Sequence, residues 1–398
     1  MKHLESQVLY ISIDGIMEPL GYSQVLKYLE KLSISHKINL ISFEKKIDLR
    51  NQSQLNFLIK KCNKHNISWY RLKYRSGFFG LGQLMNIFNL IFVPLKIFIT
   101  RDISLMHIRS YMPGISIPLL KKIFKFKLIF DIRGFWPDEK HDRLNWSKQS
   151  LKYRFFKKLE HYLMSSSEYI VTLTNASKNI ITKNFNLPLA SVIVIPTCVD
   201  FNEFKRIEHS ARPCSLNIGY LGSVDTAYDF TKFCFLISQL LEVYEGSIHL
   251  KVLTNQSAED VSALIPKKIL PQLKLEVKYV ERAKLSEEIS SFDFLGFCLK
   301  ENFSIVASMP TKIGETLACG VPIVCNSFNS DIDRLLEDNE AGMIYDFKKN
   351  LSEIQIKKLF DLLENKNTAL KCSWVANEYF SLEKGASKYL NLYSQTIS

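Results

Sequence analysis

The stretch MPTKIGETLACGVPIV, residues 309–324, contains a helix pattern, a glycine and a strand pattern in immediate succession. Pro310 suits the first turn of a helix because its missing N–H is no loss there, and Ser308 is the expected N-cap. Gly320 is expected to end the helix, and the apolar residues after it continue as a buried strand. A helix that leads directly into a buried strand indicates an α/β protein.

The same alternation of strands and helices extends through the chain. Short, almost continuous apolar runs are typical of buried parallel strands, and here they fall into two sets. The first set comprises residues 8–13, 38–43, 105–110, 127–132 and 169–174, and the second comprises residues 216–223, 247–254, 275–280, 294–299, 321–326 and 342–347. Helical patterns such as residues 22–33 and 150–166 separate them. We therefore predict two Rossmann-like, doubly wound domains that face each other across a cleft.

The domain boundary is expected near residue 200, in a polar and irregular segment that contains Pro196 and Pro213. The predicted first domain comprises residues 1–200, joined by a C-terminal helix over residues 378–398. The predicted second domain comprises residues 201–377. A chain of 398 residues is long enough for both.

The net charge of +12 is distributed unevenly between the two halves. Residues 1–200 hold 30 Lys and Arg against 14 Asp and Glu, a net charge of +16, whereas the remainder has a net charge of −4. Residues 51–100 contain seven basic residues and no acidic one. This asymmetry predicts an anionic partner for the first half only, and nucleic acid, anionic lipid and a phosphorylated substrate all remain open.

Residues 78–99 form an apolar segment with a single charge, Lys96. Its length would permit a membrane span. It also contains glycine, asparagine and proline, and it lies between strands of one predicted sheet. We therefore favour a buried or interfacial helix over a span.

The cysteines and histidines do not suggest a metal site. The eight cysteines are scattered, with no C-x-x-C pair and no Cys/His cluster at zinc spacing, as expected for reduced thiols in a cytosolic protein. The N-terminus has no signal-peptide pattern. His107 and His161 lie in apolar contexts and are interpreted as structural, and no divalent ion is expected.

Lys312 is unexpected where it stands, because the first turn of a helix has a positive dipole. An anion at this helix end would explain it, since the lysine and the free N–H groups of the first turn, residues 310–313 apart from the proline nitrogen, would then share one negatively charged ligand. Glu315 lies one turn further along and is suited to the two hydroxyls of a ribose. The alternative is a solvated Lys–Glu pair on an ordinary helix.

Residues 308–347 resemble the donor-site motif of retaining, glycogen-synthase-like glycosyltransferases of GT-B architecture, the family 4 type. The resemblance is to the bacterial branch that builds surface polysaccharides, whose motif is Pro-x-Lys-x-x-Glu followed by GxPVV. Three more segments resemble family motifs in the expected order: GYSQVLKYLEKL (21–32), VIVIPTCVDFNEF (192–204) and IGYLGS (218–223).

The resemblance implies the following assignments. The substrate is a nucleoside diphosphate sugar, with no cofactor and no metal, and the first domain binds the acceptor. The donor-binding residues are Gly21, Gly222, Ser223, Pro310, Thr311, Lys312, Ile313 and Glu315. The catalytic candidates are Lys312, Glu315 and Asp131.

The chain departs from the family pattern at two places. Ala307 stands where the family often has the first Glu of a Glu-x7-Glu pair, which usually contacts the donor sugar. No basic residue follows the strand of residues 216–223 until Lys232, so Lys312 is expected to supply the charge for the diphosphate.

The acceptor is expected at FDIRGFWPDEKHDR, residues 130–143, which follows a strand of the first sheet. The loop is dense in charge and contains a tryptophan, a residue that often stacks on sugar faces; related enzymes carry a similar D-x-R-G loop. The acceptor-binding candidates are Arg109, Arg133, Trp136, Asp138 and Glu139. The alternative is a surface loop with an ion-paired aspartate.

These observations predict a metal-independent, retaining glycosyltransferase that transfers a hexose-type sugar to a growing, lipid-linked surface glycan. It would be cytoplasmic and peripheral on the anionic inner face of the cytoplasmic membrane. A sugar-nucleotide epimerase of the same architecture is the alternative. A basic nucleic-acid-binding protein is less consistent with the sequence, because the Arg/Lys–aromatic pattern of such proteins is missing, and no nucleic-acid partner is expected.

Overall fold

The computed structural model describes residues 7–76, 80–208 and 215–397. The chain folds as two units, each with its own parallel sheet. Unit 1 comprises Met1–Pro196 and Leu382–Ser398, and unit 2 comprises Thr197–Ser381. The α/β class and the two doubly wound sheets predicted from the sequence are confirmed.

Unit 1 is built on a sheet with the strand order β3–β2–β1–β4–β5–β6–β7. Its described strands are β1 (Gln7–Ser12), β2 (Lys37–Glu44), β3 (Ile67–Lys73), β4 (Ile103–Arg109), β5 (Lys127–Asp131), β6 (Tyr169–Thr172) and β7 (Val192–Val194). Its helices begin with α1 (Pro19–Gly21) and α2 (Lys27–Leu32), joined by a π-helical turn, and continue with α3 (Gln52–Lys64), α4 (Leu81–Thr100), α5 (Ile117–Ile123), α6 (Trp136–Leu144), α7 (Leu151–Ser166) and α8 (Asn175–Phe185). The strand order reverses between β1 and β4, and ligands of doubly wound folds bind where strand order reverses, at the carboxyl ends of the strands.

Unit 2 repeats this plan with the strand order β10–β9–β8–β11–β12–β13. Its described strands are β8 (Ser215–Leu221), β9 (Ser247–Leu253), β10 (Leu273–Lys278), β11 (Phe294–Phe297), β12 (Ile323–Cys325) and β13 (Gly342–Ile344). Its helices are α9 (Phe230–Val243), α10 (Ala258–Ala263), α11 (Arg282–Ser290), α12 (Thr311–Ala318), α13 (Ser330–Glu337), α14 (Glu353–Glu364) and α15 (Thr368–Phe380). The switch point of this sheet lies between β8 and β11. The chain then returns to unit 1 as α16 (Leu382–Ile397).

All eleven strands predicted from apolar runs are present, but the sequence analysis missed β3 and β7. β3 is an edge strand in which only Ile67 is buried and the other residues are half-buried or exposed, and its sequence ISWYRLK has no continuous apolar run. β7 is only three residues long. Both lie at the ends of the sheet, where a strand has one neighbour and less apolar surface to bury.

The apolar segment of residues 78–99 corresponds to α4, although Phe78 and Phe79 lie outside the described residues. α4 is long and apolar enough to cross a membrane, yet one face packs on unit 1, where Leu90 and Ile97 are buried. The Asn86 side chain also bonds to the backbone N–H and C=O of Arg75, at 3.1 and 3.0 Å. Only 28% of its most apolar 18-residue window is buried, so α4 is not a core helix.

Candidate functional site

Helix α12 begins at Thr311, and its N-terminus lacks a side-chain cap. Pro310 is the N-cap residue and makes no capping bond, so the prediction that Ser308 caps the helix is wrong. Ser308 instead belongs to a loop held by its backbone, in which Asn329 Nδ2 donates to the Ser308 carbonyl (3.0 Å) and Thr197 Oγ1 donates to that of Met309 (2.9 Å). The uncapped first turn leaves N–H groups for an external acceptor.

Lys312 is buried on α12, with 6% of its surface exposed. Its Nζ lies 3.7, 4.9 and 5.2 Å from the ring centroids of Tyr228, Phe297 and Tyr220. Within the described ranges this ammonium has no hydrogen-bond partner. Burial lowers the pKa of Lys312 to about 7, with Glu315 acting in the opposite direction. A buried, unpaired ammonium is costly for a fold, and an anion at this position would compensate it.

Glu315, one turn along the same helix, is buried as well, so the alternative of a solvated Lys–Glu pair does not apply. Its Oε1 accepts a hydrogen bond from Arg282 Nη1 at 3.1 Å. Burial raises the pKa of Glu315, and the adjacent Arg282 guanidinium offsets part of that rise. Arg282 was not among the predicted site residues.

Gly222 and Ser223 follow β8 and line a cavity of about 470 Å³ at the carboxyl ends of β8, β9 and β10. Gly222 has φ +108°, and a Cβ added there would lie 3.5 Å from Lys312 Nζ. The Ser223 hydroxyl donates to Asp225 Oδ1 at 2.8 Å. The structure therefore brings Gly222, at the cavity, next to Lys312.

The other predicted donor-binding residues differ in how exposed they are. Pro310 and Thr311 are partly exposed at the start of α12, whereas the Ile313 side chain is fully buried in unit 2. The Ile313 N–H donates to the Pro310 carbonyl at 3.1 Å, so the expectation of a free N–H at this residue is wrong and neither its side chain nor its N–H is open to a ligand. Ala307, which replaces the first Glu of the family pair, is also fully buried.

Gly21 lies in unit 1, in the short helix after β1. A Cβ at this position would lie 1.9 Å from the carbonyl oxygen of Gly15, so the residue must be a glycine for the loop to pack on the helix. The same loop is held by Glu44, whose carboxylate accepts from the N–H groups of Ile16 and Met17 at 3.0 Å each. The close backbone contact that requires a glycine at position 21 is therefore with the Gly15 carbonyl of the protein itself.

Asp131 ends β5 and is 1% exposed. Its Oδ2 accepts from the Tyr389 hydroxyl of α16 at 2.8 Å and lies 3.9 Å from His107 Nε2. Arg109 Nη1 and Arg133 Nη1 each approach one carboxylate oxygen at 3.7 Å. Burial alone would raise the pKa of Asp131, but Arg133, His107 and Arg109 together hold it below its usual value.

Arg109, at the end of β4, and Arg133, in the loop that follows β5, converge on this buried carboxylate. Arg109 Nε also donates to Asp14 Oδ2 at 3.1 Å, and the Asp14 side chain is 41% exposed. Arg133 adopts a left-handed backbone conformation, with φ +55°. Asp131 therefore acts as the centre that orders both arginines at the carboxyl edge of the sheet.

Trp136 begins α6 and is half-buried in an aromatic cluster. Its ring centroid lies 4.7 Å from Phe156, 5.7 Å from Trp146 and 6.2 Å from Tyr111. Lys140 Nζ lies 5.3 Å from the Trp136 centroid. The ring is therefore held rigidly, with part of its surface exposed.

Asp138 and Glu139 have different surroundings, although they are adjacent. Asp138 is buried and accepts from the Tyr153 hydroxyl at 2.6 Å and from Lys157 at 3.2 Å, so it ties α6 to α7. Glu139 packs beside Gly134, where an added Cβ would lie 2.5 Å from Oε1. Burial raises the pKa of Glu139, although Arg143 and Lys140 oppose the rise.

Two contacts to buried carboxylates of the predicted site were not predicted from the sequence. The partner of Glu315 is 33 residues away, on α11, and the partner of Asp131 is 258 residues away, on α16. No local pattern marks Arg282 or Tyr389. Among the described residues there is no group of three or more His, Cys, Asp or Glu side chains able to hold a metal ion.

No protein-family model and no curated protein sequence matches this chain. Solved structures with the same fold include a glycosyltransferase from Rickettsia africae, with 15% identity, complete coverage of both chains and a TM-score of 0.70. Sucrose-phosphate synthase from Thermosynechococcus elongatus has 11% identity, 98% coverage of both chains and a TM-score of 0.69. The Anabaena protein HepE in complex with UDP-glucose has 13% identity, coverage of 98% and 99%, and a TM-score of 0.65. The fold is therefore the one found in GT-B glycosyltransferases.

Proposed function

We propose that this chain is a glycosyltransferase that moves a hexose-type sugar from a nucleoside diphosphate sugar to a growing, lipid-linked surface glycan. Unit 2 binds the donor and unit 1 binds the acceptor. The observation that carries the proposal is the buried, unpaired Lys312 at the uncapped N-terminus of α12, beside Gly222. The shared fold with HepE, whose structure contains UDP-glucose, supports a donor of that class.

We propose that the nucleoside binds in unit 2, in the cavity beside Gly222. Its volume of about 470 Å³ is in the range of small-molecule sites, and Leu221, Leu253 and Val280 give it apolar walls. In this proposal the base lies in the cavity, the ribose hydroxyls bond to Glu315, and the diphosphate meets Lys312 and the first turn of α12. These are the three chemical parts of a nucleoside diphosphate.

Lys312 is proposed to act on the leaving group. In the transfer the bond between the anomeric carbon and the diphosphate oxygen breaks, and the acceptor hydroxyl oxygen forms a bond to the same carbon and passes its proton to the departing diphosphate. Negative charge then develops on the diphosphate, where an ammonium in a site of low dielectric stabilises it. Because the lysine supplies this charge, we propose that no metal ion is required.

We further propose that the reaction retains the anomeric configuration by front-face attack. The support is the resemblance of the α12 motif to retaining enzymes, together with the lack of a predicted protein nucleophile. Asp131 fits a positioning role better than direct contact with substrate, because its carboxylate is buried and already accepts from Tyr389. Arg133 and Trp136 are the groups proposed to meet the acceptor, whereas Arg109 is 4% exposed and fits a positioning role for the same reason as Asp131.

The exposed face of α4 is proposed to rest on the cytoplasmic face of an anionic membrane. Six large apolar side chains of α4 are between 44% and 70% exposed, and they are Leu81, Leu84, Met85, Phe88, Phe92 and Ile99. Lys96 lies on the same helix, and the preceding strand β3 carries the exposed Arg71 and Lys73. Apolar and basic side chains together suit the interface of an anionic leaflet.

A sugar-nucleotide epimerase would bind the same donor, but it needs no acceptor. The aromatic and arginine groups at the carboxyl edge of unit 1 favour a transferase, since an epimerase would leave them without a role. A nucleic-acid-binding protein would leave the Lys312 site of unit 2 without a role.

The proposal is tested by thermal shifts with UDP, GDP, ADP, TDP and duplex DNA, followed by titration of two variants with the best diphosphate. At least one diphosphate should stabilise the chain, and DNA should not. Glu315→Ala should raise the nucleotide dissociation constant by about tenfold or more, since hydrogen bonds to charged groups contribute about 1.5–3 kcal/mol. Lys312→Ala should lower turnover more than it weakens binding.

Lys358→Ala is the matched control, because Lys358 forms an exposed ion pair with Glu337 elsewhere in unit 2. Unchanged nucleotide binding in Glu315→Ala, with the fold intact by circular dichroism, would remove this site. Stabilisation by duplex DNA alone would favour the nucleic-acid alternative.

A further inference from the structure

We propose that Arg282 is a positioning residue of the nucleotide site, which holds Glu315 in its carboxylate form with one oxygen left for the ligand. This inference rests on the proposed function, because it takes Glu315 to be the residue that meets the ribose. Arg282 is the first residue of α11, and the loop before it supplies Tyr279 and Val280 to the cavity wall.

The guanidinium of Arg282 is fixed from three sides. Its Nη1 donates to Glu315 Oε1 at 3.1 Å, and its Nε donates to Glu203 Oε2 at 2.8 Å. The face of the group lies 4.9 Å from the ring centroid of Phe204, which is fully buried. A planar fork between two carboxylates and a ring cannot rotate freely, so it holds Glu315 in one orientation.

A turn at the start of unit 2 positions Glu203 next to Arg282. The N–H groups of Glu203 and Phe204 donate to the Asp200 carbonyl at 2.9 and 3.0 Å, and the Asp200 carboxylate accepts from the N–H of Asn202 at 2.9 Å. The turn thus sets the position of the second carboxylate. It lies 79 residues from Arg282 in sequence.

Glu315 needs this partner because it is buried. The charged groups that face it are Arg282 from α11, Glu203 from the turn and Lys312 from its own helix. Burial raises the pKa of Glu315, Arg282 and Lys312 lower it, and Glu203 raises it. The thiol of Cys319, further along α12, also interacts with Glu315.

Only one oxygen of Glu315 is used by the protein. Oε1 bonds to Arg282, whereas Oε2 accepts no hydrogen bond from the residues that the structure describes. A carboxylate can accept bonds at both oxygens, so Oε2 keeps its acceptor capacity for hydroxyl donors. Protonation of Glu315 would reduce that capacity, and Arg282 opposes protonation.

The experiment titrates Arg282→Gln and Arg282→Lys with UDP and with 2′,3′-dideoxyuridine diphosphate, from pH 5 to 8. If UDP does not stabilise the wild type, the diphosphate that stabilises it best replaces UDP, together with its dideoxy analogue. Arg282→Gln should weaken binding of the diphosphate about tenfold and have less than a twofold effect on the dideoxy analogue, which has no hydroxyls for Glu315. Its binding should also be lost at a higher pH than in the wild type, because Glu315 then takes up a proton more readily. Arg282→Lys keeps the charge but not the planar guanidinium. Its affinity for the diphosphate should lie between those of the wild type and Arg282→Gln.

If Arg282 had a purely structural role, Arg282→Gln would weaken the binding of both nucleotides equally and leave the pH dependence of binding unchanged. Either result would overturn the inference. Lys358→Gln serves as the control for loss of an ion pair in unit 2. In a Glu315→Gln background, Arg282→Gln should change binding by less than twofold, and a larger additional loss would also overturn the inference. If Glu315→Gln itself has no effect, or no diphosphate binds the wild type, the proposed function fails as well.

Discussion

At the residue scale, Lys312 lowers the stability of the fold and also supplies the positive charge proposed to meet the diphosphate. Its folded pKa of about 7 lies well below the value of about 10.4 for an exposed lysine. The unfolded chain therefore binds more protons between these two values, so the free energy of unfolding should rise with pH across this window. Below about pH 7 the buried ammonium is charged and lowers the free energy of unfolding by its full amount. That amount is about 1.4 kcal/mol for each pH unit by which burial lowers the pKa.

Lys312→Met, which keeps an unbranched side chain but removes its charge, should therefore be more stable than the wild type at pH 6. We expect calorimetry to show a rise of at least about 3 °C in the unfolding temperature, while turnover falls more than nucleotide binding. The difference between variant and wild type should shrink as the pH approaches 10. Lys358→Met, at an exposed ion pair, is the control and should show no such trend. A variant at position 312 that is less stable than the wild type at pH 6 would show that the ammonium is not desolvated.

At the scale of elements, the loop after β5 and helix α6 form the surface proposed for the acceptor. Arg133 and Gly134 both have positive φ angles, of 55° and 145°, so the chain turns sharply before Trp136 begins the helix. This turn places the half-buried ring of Trp136 among other aromatic side chains.

Trp136→Ala and Glu139→Gln should impair sugar transfer and leave nucleotide binding within twofold of the wild type. We expect about a tenfold loss of kcat/KM for the acceptor in Trp136→Ala, which corresponds to about 1.4 kcal/mol of lost contact. Trp136→Phe should retain more activity, because it preserves part of the aromatic cluster. Trp374→Ala, at an exposed tryptophan of α15, is the control. Loss of nucleotide binding in either loop variant would place this loop in the donor site.

At the scale of the whole molecule, the uneven charge and the exposed face of α4 lead to a prediction about membranes. Residues 1–200 have a net charge of +16, and all but the last four of them belong to unit 1, as does the apolar and exposed face of α4. Each basic residue near an anionic leaflet contributes about 1 kcal/mol, and salt screens this attraction over about 8 Å at physiological ionic strength.

The protein should float with anionic liposomes at low salt and be largely released by about 0.5 M salt, because the Debye length then falls to a few Å. The double variant Phe88→Ser/Phe92→Ser should bind more weakly than Leu370→Ser/Trp374→Ser, a matched pair of exposed apolar residues on α15. Flotation is measured with neutral liposomes in parallel. Equal binding to neutral and anionic liposomes, or release by detergent only, would contradict this prediction.

The sequence by itself determined the α/β class, the strands with continuous apolar runs and the positions of Lys312 and Glu315. These features are encoded locally, because a buried parallel strand must be apolar along its own length and a helix terminus is marked by residues next to it. β3 escaped because an edge strand buries less surface, and Ser308 was wrongly expected to be a cap because the sequence does not show that tertiary contacts hold its loop by the backbone.

Only the tertiary structure decided what the charged residues do. Arg282 contacts Glu315 across 33 residues, and Tyr389 contacts Asp131 across 258 residues. The aromatic rings that surround Lys312 come from the segments around β8 and β11 rather than from its own helix. Burial and neighbouring charge set the pKa of such groups, and both arise when distant segments pack together. For this reason the same lysine that marks a helix end in the sequence becomes an unpaired ammonium, suited to a diphosphate, only in the folded protein.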